Sequence, residues 1–491
     1  MTADRREPAT TGVGFDRLLL AEWTKLRSVP RWMLGLGAMI ALTLLLSLFT
    51  AAGSGSDLNS HPEELGAVGP DGQRVKDEMH FVHQTLAGDG SIVARVRRQD
   101  DSHEWAGAGV MVKESTEAGS PYAAIMVTPG HGVRLQSNFT TEVSGSAETA
   151  PRWLKLTRVG ATITGLESAD GSTWNEVGSV EIGDLPRSAE VGLLVNSPGQ
   201  VEVERQFGST SSGERATLGT ATFDNVEVDA TGSGPQPSQR WRDHDTSVGF
   251  VDIEPAREVD GVFTLSGSGE LAVNPPDADV AQLSLIGINF GQIAAVAVGA
   301  LLITAEYKRG MIRTTFAANP RRGRVLAAKA VVIGATTFVV GLVASLTAFF
   351  LTQPVLRSNG FGPPAYPVPS LTDGPVLRAV IGAALNLALV AIFALALGTI
   401  MRRNAGAIAT GMVVLLLPIV FAGSLPLSVE QWLIRTTPAA GLSVLQTIEQ
   451  DNDTAVEPWN MADPWVGLGV LGAYAAAGLA VACWQLRRRD A

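Results

Sequence analysis

The sequence predicts a membrane frame of six α-helical spans with an all-β sandwich inserted between the first and the second. Three observations predict it: six apolar stretches of membrane-crossing length, an acidic block confined to the loop after the first, and a change of hydrophobic period inside that block. The chain has 491 residues, of which 46% are hydrophobic and 17% charged, against about 25% charged in an ordinary soluble protein. Mean hydropathy is +0.19, yet the net charge is -11. Residues 51–280 hold 35 acidic and 16 basic residues, a net of -19, whereas the remainder holds 13 and 21, a net of +8. All six histidines fall in the acidic block. A water-facing acidic module inserted into a basic, apolar frame excludes a simple soluble enzyme, a nucleic-acid binder and a disordered chain. The single cysteine, Cys483, rules out an intrachain disulfide and a Cys-based zinc site.

A bilayer core of about 30 Å takes roughly 20 apolar residues per helix. The stretches that qualify are Trp32–Thr50, Leu283–Ala305, Leu326–Leu351, Val376–Met401, Ala407–Ala422 and Trp465–Leu486; the fifth is the shortest and contains Pro418. The first begins too far into the chain and runs too long for a signal peptide, so it reads as a retained span. The domains expected are residues 1–52 (N-terminus, interfacial helix and first span), 53–281 (the sandwich with flanking linkers) and 282–491 (five further spans and a cytoplasmic loop).

Lys and Arg near span ends mark the cytoplasmic side. Arg5, Arg6, Arg17, Lys25, Arg27 and Arg31 precede the first span. Lys308, Arg309, Arg313, Arg321, Arg322, Arg324 and Lys329 lie between the second and third, Arg402 and Arg403 after the fourth, and Arg487, Arg488 and Arg489 after the sixth. The alternate loops keep only Arg357, Arg378 and Arg435. Both termini are therefore expected in the cytoplasm and residues 53–281 outside. Ahead of the first span, Phe15, Leu18, Leu19, Leu20 and Trp23 alternate with charged residues, which suits a helix lying in the headgroup region and bent at Pro30.

Within the acidic block, Ser91–Arg97, Gly107–Lys113, Tyr122–Val127, Trp153–Arg158, Ala161–Leu166, Glu190–Asn196 and Ala221–Val228 are short, β-branched or alternating, and separated by Gly, Pro, Asn and Asp. Such spacing reads as an antiparallel sandwich. Gly208–Gly219 and Thr231–Ser238 read as flexible loop and linker. The stretches GDGSIVARVRRQDDSHEWAGAGVMVKES, PRWLKLTRVGATITGLESADGSTWNEVGS, EVGLLVNS and ATFDNVEV resemble the concanavalin A-like, laminin-G-like jelly rolls of bacterial carbohydrate-active enzymes. The opening element of those modules is matched here by Asp252–Gly269, after the other strands, so the resemblance implies a circularly permuted order. No E-x-D-x-x-E strand supplies the paired carboxylates of a retaining glycosidase. Asp89, Asp100, Asp101, Glu104 and Asp170 read as turn or strand-end acids. His80 and His83, three apart on a strand, point to opposite faces, and no metal site is expected. Trp105, Trp153 and Trp174 are candidates for stacking on a glycan, or for core.

The frame carries no G-x-x-x-x-G-K-[ST], H-E-x-x-H or G-x-S-x-G motif, so this chain is expected to hold no nucleotide or other cofactor and to catalyse nothing itself. Ala305–Thr315 (AEYKRGMIRTT) and Ala21–Arg27 (AEWTKLR) resemble the cytoplasmic elements of ABC-2-type ABC transporter permeases of the actinobacterial kind, and Thr437–Leu442 (TPAAGL) and the six-span plan are consistent with them. The resemblance implies a bacterial plasma-membrane permease subunit, dependent on a separate ATP-binding cassette subunit and paired with a second permease copy. ATP would be bound by the partner, and membrane lipid and a glycan ligand are further expected contacts. It carries ATPase coupling onto Glu306, Tyr307, Lys308, Arg309, Gly310, Arg313, Thr314 and Thr315, and onto Glu22, Lys25 and Arg27. It also implies that Ser428–Ile448 forms a helix pair dipping toward the outer face. Asn289, Gln292 and Asn386, polar inside spans, are candidates for the pathway or the dimer seam. The expected cargo is a lipid, glycan, peptide or drug-like molecule. A non-transporting receptor whose sandwich binds cell-wall glycan stands as the alternative, and a membrane-tethered carbohydrate-active enzyme as a third reading.

Overall fold

The computed structural model describes residues 14–56, 66–100, 103–183, 185–206, 209–230, 240–247, 253–274, 276, 278–308, 310–318, 321–421, 424–448 and 462–488. It divides into two compact units, a helical one and a strand-built one formed from residues 61–203 and 212–275.

The helical unit consists of α1 (Phe15–Ser28), α2 (Pro30–Gly53), α3 (Val280–Leu285), α4 (Ile288–Lys308), α5 (Met311–Ala318), α6 (Arg322–Ser358), α7 (Gly374–Met401), α8 (Asn404–Phe421), α9 (Leu427–Thr436), a 3-10 helix (Pro438–Leu445) and α10 (Pro464–Arg488). Six helical runs are long and apolar enough to cross a membrane: α2, α3 with α4, α6, α7, α8 and α10. They form where Leu, Ala, Val and Gly run without charge, and they stop where the backbone is forced to turn. Val29 is extended at φ -107°, and Pro30, with no N–H to leave unpaired, opens α2. Gly310, at φ +69°, breaks α4 from α5 in a conformation that favours glycine. Asp279 caps α3 by accepting the Gln282 N–H at 2.8 Å, and the same carboxylate accepts the Thr447 hydroxyl at 2.6 Å, which ties the chain after the 3-10 helix to this cap.

The middle of this unit is α7, with 72% of its apolar window buried, against 22% for α2 and for α8. Small residues let the backbones meet: a Cβ at Gly299 would stand 2.2 Å from the Ala391 carbonyl oxygen, and one at Gly467 2.0 Å from that of Ala440. Large apolar side chains such as Leu34 and Phe49 of α2 and Val420 of α8 are exposed, as expected of surfaces that face a bilayer or another membrane protein.

The strand unit is built from β1 (Ala67–Val68), β2 (Arg74–Asp77), β3 (His80–Ala87), β4 (Gly90–Asp100), β5 (Gly107–Lys113), β6 (Tyr122–Thr128), β7 (Gly132–Ser137), β8 (Thr141–Ser144), β9 (Arg152–Val159), β10 (Thr162–Ser168), β11 (Asn175–Glu181), β12 (Ser188–Asn196), β13 (Gln200–Gln206), β14 (Ser209–Arg215), β15 (Gly219–Ala230), β16 (Arg242–Asp245), β17 (Arg257–Val259), β18 (Val262–Gly267) and β19 (Leu271–Val273). Two seven-stranded sheets, ordered β11-β10-β9-β4-β15-β18-β17 and β16-β3-β12-β5-β6-β7-β8, face each other. Alternate residues of both, among them Val82, Ile92, Ala94, Val110, Ile125, Leu154, Leu193 and Phe223, fill the core between them. A three-stranded sheet, β1-β2-β19, covers a second cluster on the outer face of the second sheet, where Val75, Phe81, Met111, Tyr122, Phe139 and Leu194 pack. The segment expected to open a jelly roll supplies β18, which pairs antiparallel with β15.

One expectation is overturned. Gly208–Gly219 was expected as flexible loop, but Ser209–Arg215 is strand β14, paired with β13 in a hairpin. Main-chain hydrogen bonds build that pairing whatever the Ser- and Gly-rich composition implies. The expected linker at 231–238 and the turn at Asn319-Pro320 lie outside the described residues.

Candidate functional site: a buried charge network joining three helices

In α1, Leu18, Glu22 and Leu26 are the buried positions, one stripe at helical spacing, while Leu20, Trp23 and Arg27 are exposed. Glu22 therefore faces the bundle and not water. At the end of α4, Glu306 is also buried. Both carboxylates meet the ammonium of Lys329, near the start of α6: Nζ lies 2.6 Å from Glu22 Oε2 and 2.6 Å from Glu306 Oε1, with the lysine side chain 0% exposed. Lys25 closes the group, donating to Glu22 Oε1 at 3.0 Å and to Glu306 Oε1 at 3.4 Å. Two carboxylates and two ammoniums sum to zero charge, the condition under which such groups tolerate burial. Burial pulls the Lys25 ammonium down, but the Glu22 and Glu306 carboxylates outweigh it and leave its pKa raised.

The network ties α1, at Glu22, to α4 and to α6, 307 residues away in the chain at Lys329. Sequence reasoning placed Glu22, Lys25 and Glu306 in a coupling set without foreseeing their contact, and it counted Lys329 only as a basic residue of the loop. The signal available was its position: an ionisable residue inside an apolar span needs a partner.

The rest of the expected coupling set radiates from this network. Tyr307 sits under Arg402, whose guanidinium carbon is 5.2 Å from the ring centroid. Lys308 and Gly310 are exposed. On α5, Ile312 and Phe316 are buried and Arg313 and Thr314 exposed. The Thr314 and Thr315 hydroxyls turn back to the Met311 carbonyl at 2.8 and 3.1 Å, bracing their own turn. Arg309 lies outside the described residues. Beneath α5, Arg322 stacks on Phe316 at 5.6 Å and donates to the Leu486 carbonyl at 2.9 Å, which adds the end of α10.

The polar residues expected in a pathway or seam are not joined by hydrogen bonds to one another. Asn289 donates to the carbonyl of Ile286, at the end of α3, at 3.1 Å. Gln292 is 3% exposed, and Asn386, 1% exposed, has neither amide atom partnered and lies against Gly441 of the 3-10 helix.

The three tryptophans do not form one platform. Trp105 is stacked by His131, 3.4 Å between centroids, and by the Arg134 guanidinium at 4.2 Å. These two contacts occupy the indole and leave it 38% exposed. Arg134 stands on the outer face of the second sheet, whereas Trp153 is on the outer face of the first, backed by Gly171. Trp174 lies near Lys155, 5.7 Å away. Asp170 accepts the Ser172 and Thr173 N–H groups, each at 2.8 Å, which hold its carboxyl well below the usual range; this is a turn acid. His80 and His83 do point to opposite faces: His80 reaches Ser266 O at 2.6 Å and Asp243 at 2.5 Å, and His83 reaches Glu190 at 2.7 Å. Among the described residues no group of three His, Cys, Asp or Glu is arranged to hold a metal ion.

No protein-family model matches the chain, and no curated protein matches it. Among solved structures it is similar to a functionally unknown protein from Saccharomyces cerevisiae, at 16% identity over 32% of this chain and 76% of that one, with a TM-score of 0.21. It is also similar to a peptidase of the Eqolisin family in complex with a tripeptide, at 12% identity over 39% and 98% with a TM-score of 0.25. A third is scytalido-glutamic peptidase with a transition state analog inhibitor, at 10% over 40% and 98% with a TM-score of 0.26. At TM-scores this low the likenesses bear on neither the fold nor the chemistry of this chain.

Proposed function

We propose that the chain is the permease subunit of an ABC transporter, with no ATPase of its own, exporting a lipid, glycan, peptide or drug-like molecule. The observation that carries this reading is the network on Lys329. The two segments that resemble cytoplasmic elements of ABC-2-type permeases, Ala21–Arg27 and Ala305–Thr315, are bound to each other through Glu22, Lys25 and Glu306. Two separate motif matches thus belong to one mechanical element, which is what a handle for a partner ATPase requires.

In this reading the ATP-binding subunit docks on the exposed side of α5, at Arg313 and the neighbouring Lys308. When ATP closes the partner, the push on α5 and α1 passes through the buried ion pairs to α4 and α6 and rocks the spans. Both termini are cytoplasmic, and the strand unit is extracytoplasmic, a permuted jelly roll. A second permease copy packs on the least buried spans. A groove of about 650 Å³ between α2, one of those spans, and α4, lined by Trp32, Gly35, Ala38, Ala294 and Val298, is proposed as part of its seat.

The test is retrieval of the partner in mild detergent. Wild type is expected to bring down a P-loop ATPase, and reversal of charge at Arg309 and Arg313 to abolish that while leaving the protein in the membrane. Wild type that retrieves no ATPase ends the coupling assignment.

A further inference from the structure

The strand unit has no cysteine, yet a pair of its side chains is placed for a different covalent tie. Lys113 ends β5 and Asp77 ends β2, a strand of the small covering sheet. Their side chains are 1% and 2% exposed, and Lys113 Nζ lies 2.5 Å from Asp77 Oδ2. Oδ2 also accepts the Gly119 N–H at 2.7 Å, whereas Oδ1 is buried without a partner. The ammonium has one further polar neighbour, Ser120 O at 3.5 Å. Its remaining surroundings are the rings of Tyr122 and Phe139, with centroids at 5.6 and 5.9 Å, in a cluster shared with Met79, Phe81 and Met111.

Taking two charges out of water costs several kcal/mol per ion unless hydrogen bonds satisfy them, and here one carboxylate oxygen has none. The neutral pair, an amine and a carboxylic acid, differs from the ion pair only by a proton moved across the 2.5 Å hydrogen bond. Burial drives Lys113 in that direction: it lowers the ammonium pKa by more than the attraction of Asp77 raises it. Ordinary carboxylate geometry at that contact puts Nζ about 3–3.5 Å from Cγ, so attack requires only that the amine swing from the carboxyl plane to its face.

We propose that Lys113 and Asp77 condense into an intramolecular amide that staples β2 to β5. The lone pair of the neutral Nζ attacks Asp77 Cγ, a C–N bond forms, and the carbonyl electron pair moves onto Oδ1 and then returns. The bond from Cγ to Oδ2, the oxygen that took the first proton across the Nζ contact, breaks as the pair returns. Relative to the ion pair, Nζ sheds two protons across that same contact, and both leave on Oδ2 as one water molecule. No oxidant, reductant or co-reactant is needed. Tyr122 is fully buried, and burial and the Asp77 charge keep its phenol protonated. The product replaces two buried charges with one neutral amide, and it closes a loop between positions 36 apart in the chain. Cross-links of this kind restrict the unfolded state as a disulfide does.

The full chain purified in detergent provides the test, by intact mass and by mapping of proteolytic peptides. The expected wild-type mass is short by one water, with a branched peptide joining the Asp77 and Lys113 fragments. Asp77→Asn is expected short by one ammonia, because its amide nitrogen is then the leaving group, and Lys113→Arg at its full calculated mass. A wild-type mass that retains the water, with the two fragments separate after prolonged incubation of the folded protein, overturns the proposal and leaves a buried ion pair. Since the wild type carries the readout, misfolding of a variant does not obscure it.

Discussion

At the scale of single residues, the chain sets charged groups where water cannot reach them and solves the problem by pairing. Lys329 is the clearest case, because among the described residues it alone faces two carboxylates while fully buried. Removing one partner from such a group leaves an uncompensated charge, which costs about 3–5 kcal/mol. Lys329→Met is therefore expected to lower stability by about that amount, read as thermal unfolding in detergent. The double variant Lys329→Met with Glu306→Gln is expected to recover part of the loss, since it removes a buried carboxylate left with only the half-exposed Lys25 ammonium at 3.4 Å. Equal loss in the single and double variants would show that the network contributes nothing as a unit. Glu22, Lys25 and Glu306 could be named from the sequence, but their meeting point could not, because a lysine near the end of an apolar span looks the same whether it snorkels to water or binds a carboxylate.

Among elements, the short edge strand β16 shows how a few side chains hold a strand that has little apolar surface of its own. It pairs with β3 over Arg242–Asp245, and Arg242 reaches across to Glu190 of β12 at 2.9 Å. Burial pushes the Glu190 carboxyl up, but the hydrogen bond and charge of His83 and the charge of Arg242 more than offset it, so its pKa lies below the usual 4.5. A carboxylate depressed in the folded state contributes stability that is complete above the unfolded value and is lost as pH falls through the folded one. Amide protection of β16 relative to β5 is therefore expected to drop between neutral pH and about pH 3, below the ordinary carboxylate range. Unchanged relative protection over that interval would remove Glu190 as the latch. The longer strands were legible in sequence, since β5, β6, β9 and β12 carry β-branched or alternating residues between turn signals. Strand β14 was not, because Ser and Gly look alike in a hairpin and in a loop. The break between α4 and α5 was legible, because Gly310 takes a positive φ that other residues avoid.

For the whole molecule, charge partition leads directly to topology. On the proposed orientation, which puts the acidic block outside and the basic loops inside, a cysteine introduced at Ser172, in the exposed turn before β11, is expected to react with an impermeant thiol reagent on intact cells. Protection until lysis would invert the proposed orientation. The six helices long and apolar enough to cross a membrane, their order and the position of the inserted strand unit were determined by the sequence alone, because length, apolar content and period are local properties. What only the tertiary structure decided are the contacts between distant segments: the ion network that makes one element of α1, α4 and α6, the opposite sides on which Trp105 and Trp153 stand, and the sealed meeting of Lys113 with Asp77. Those depend on which faces pack together, and in a frame of Leu, Ala, Val and Gly nearly every face is chemically alike until small residues such as Gly299 and Gly467 select the close approaches.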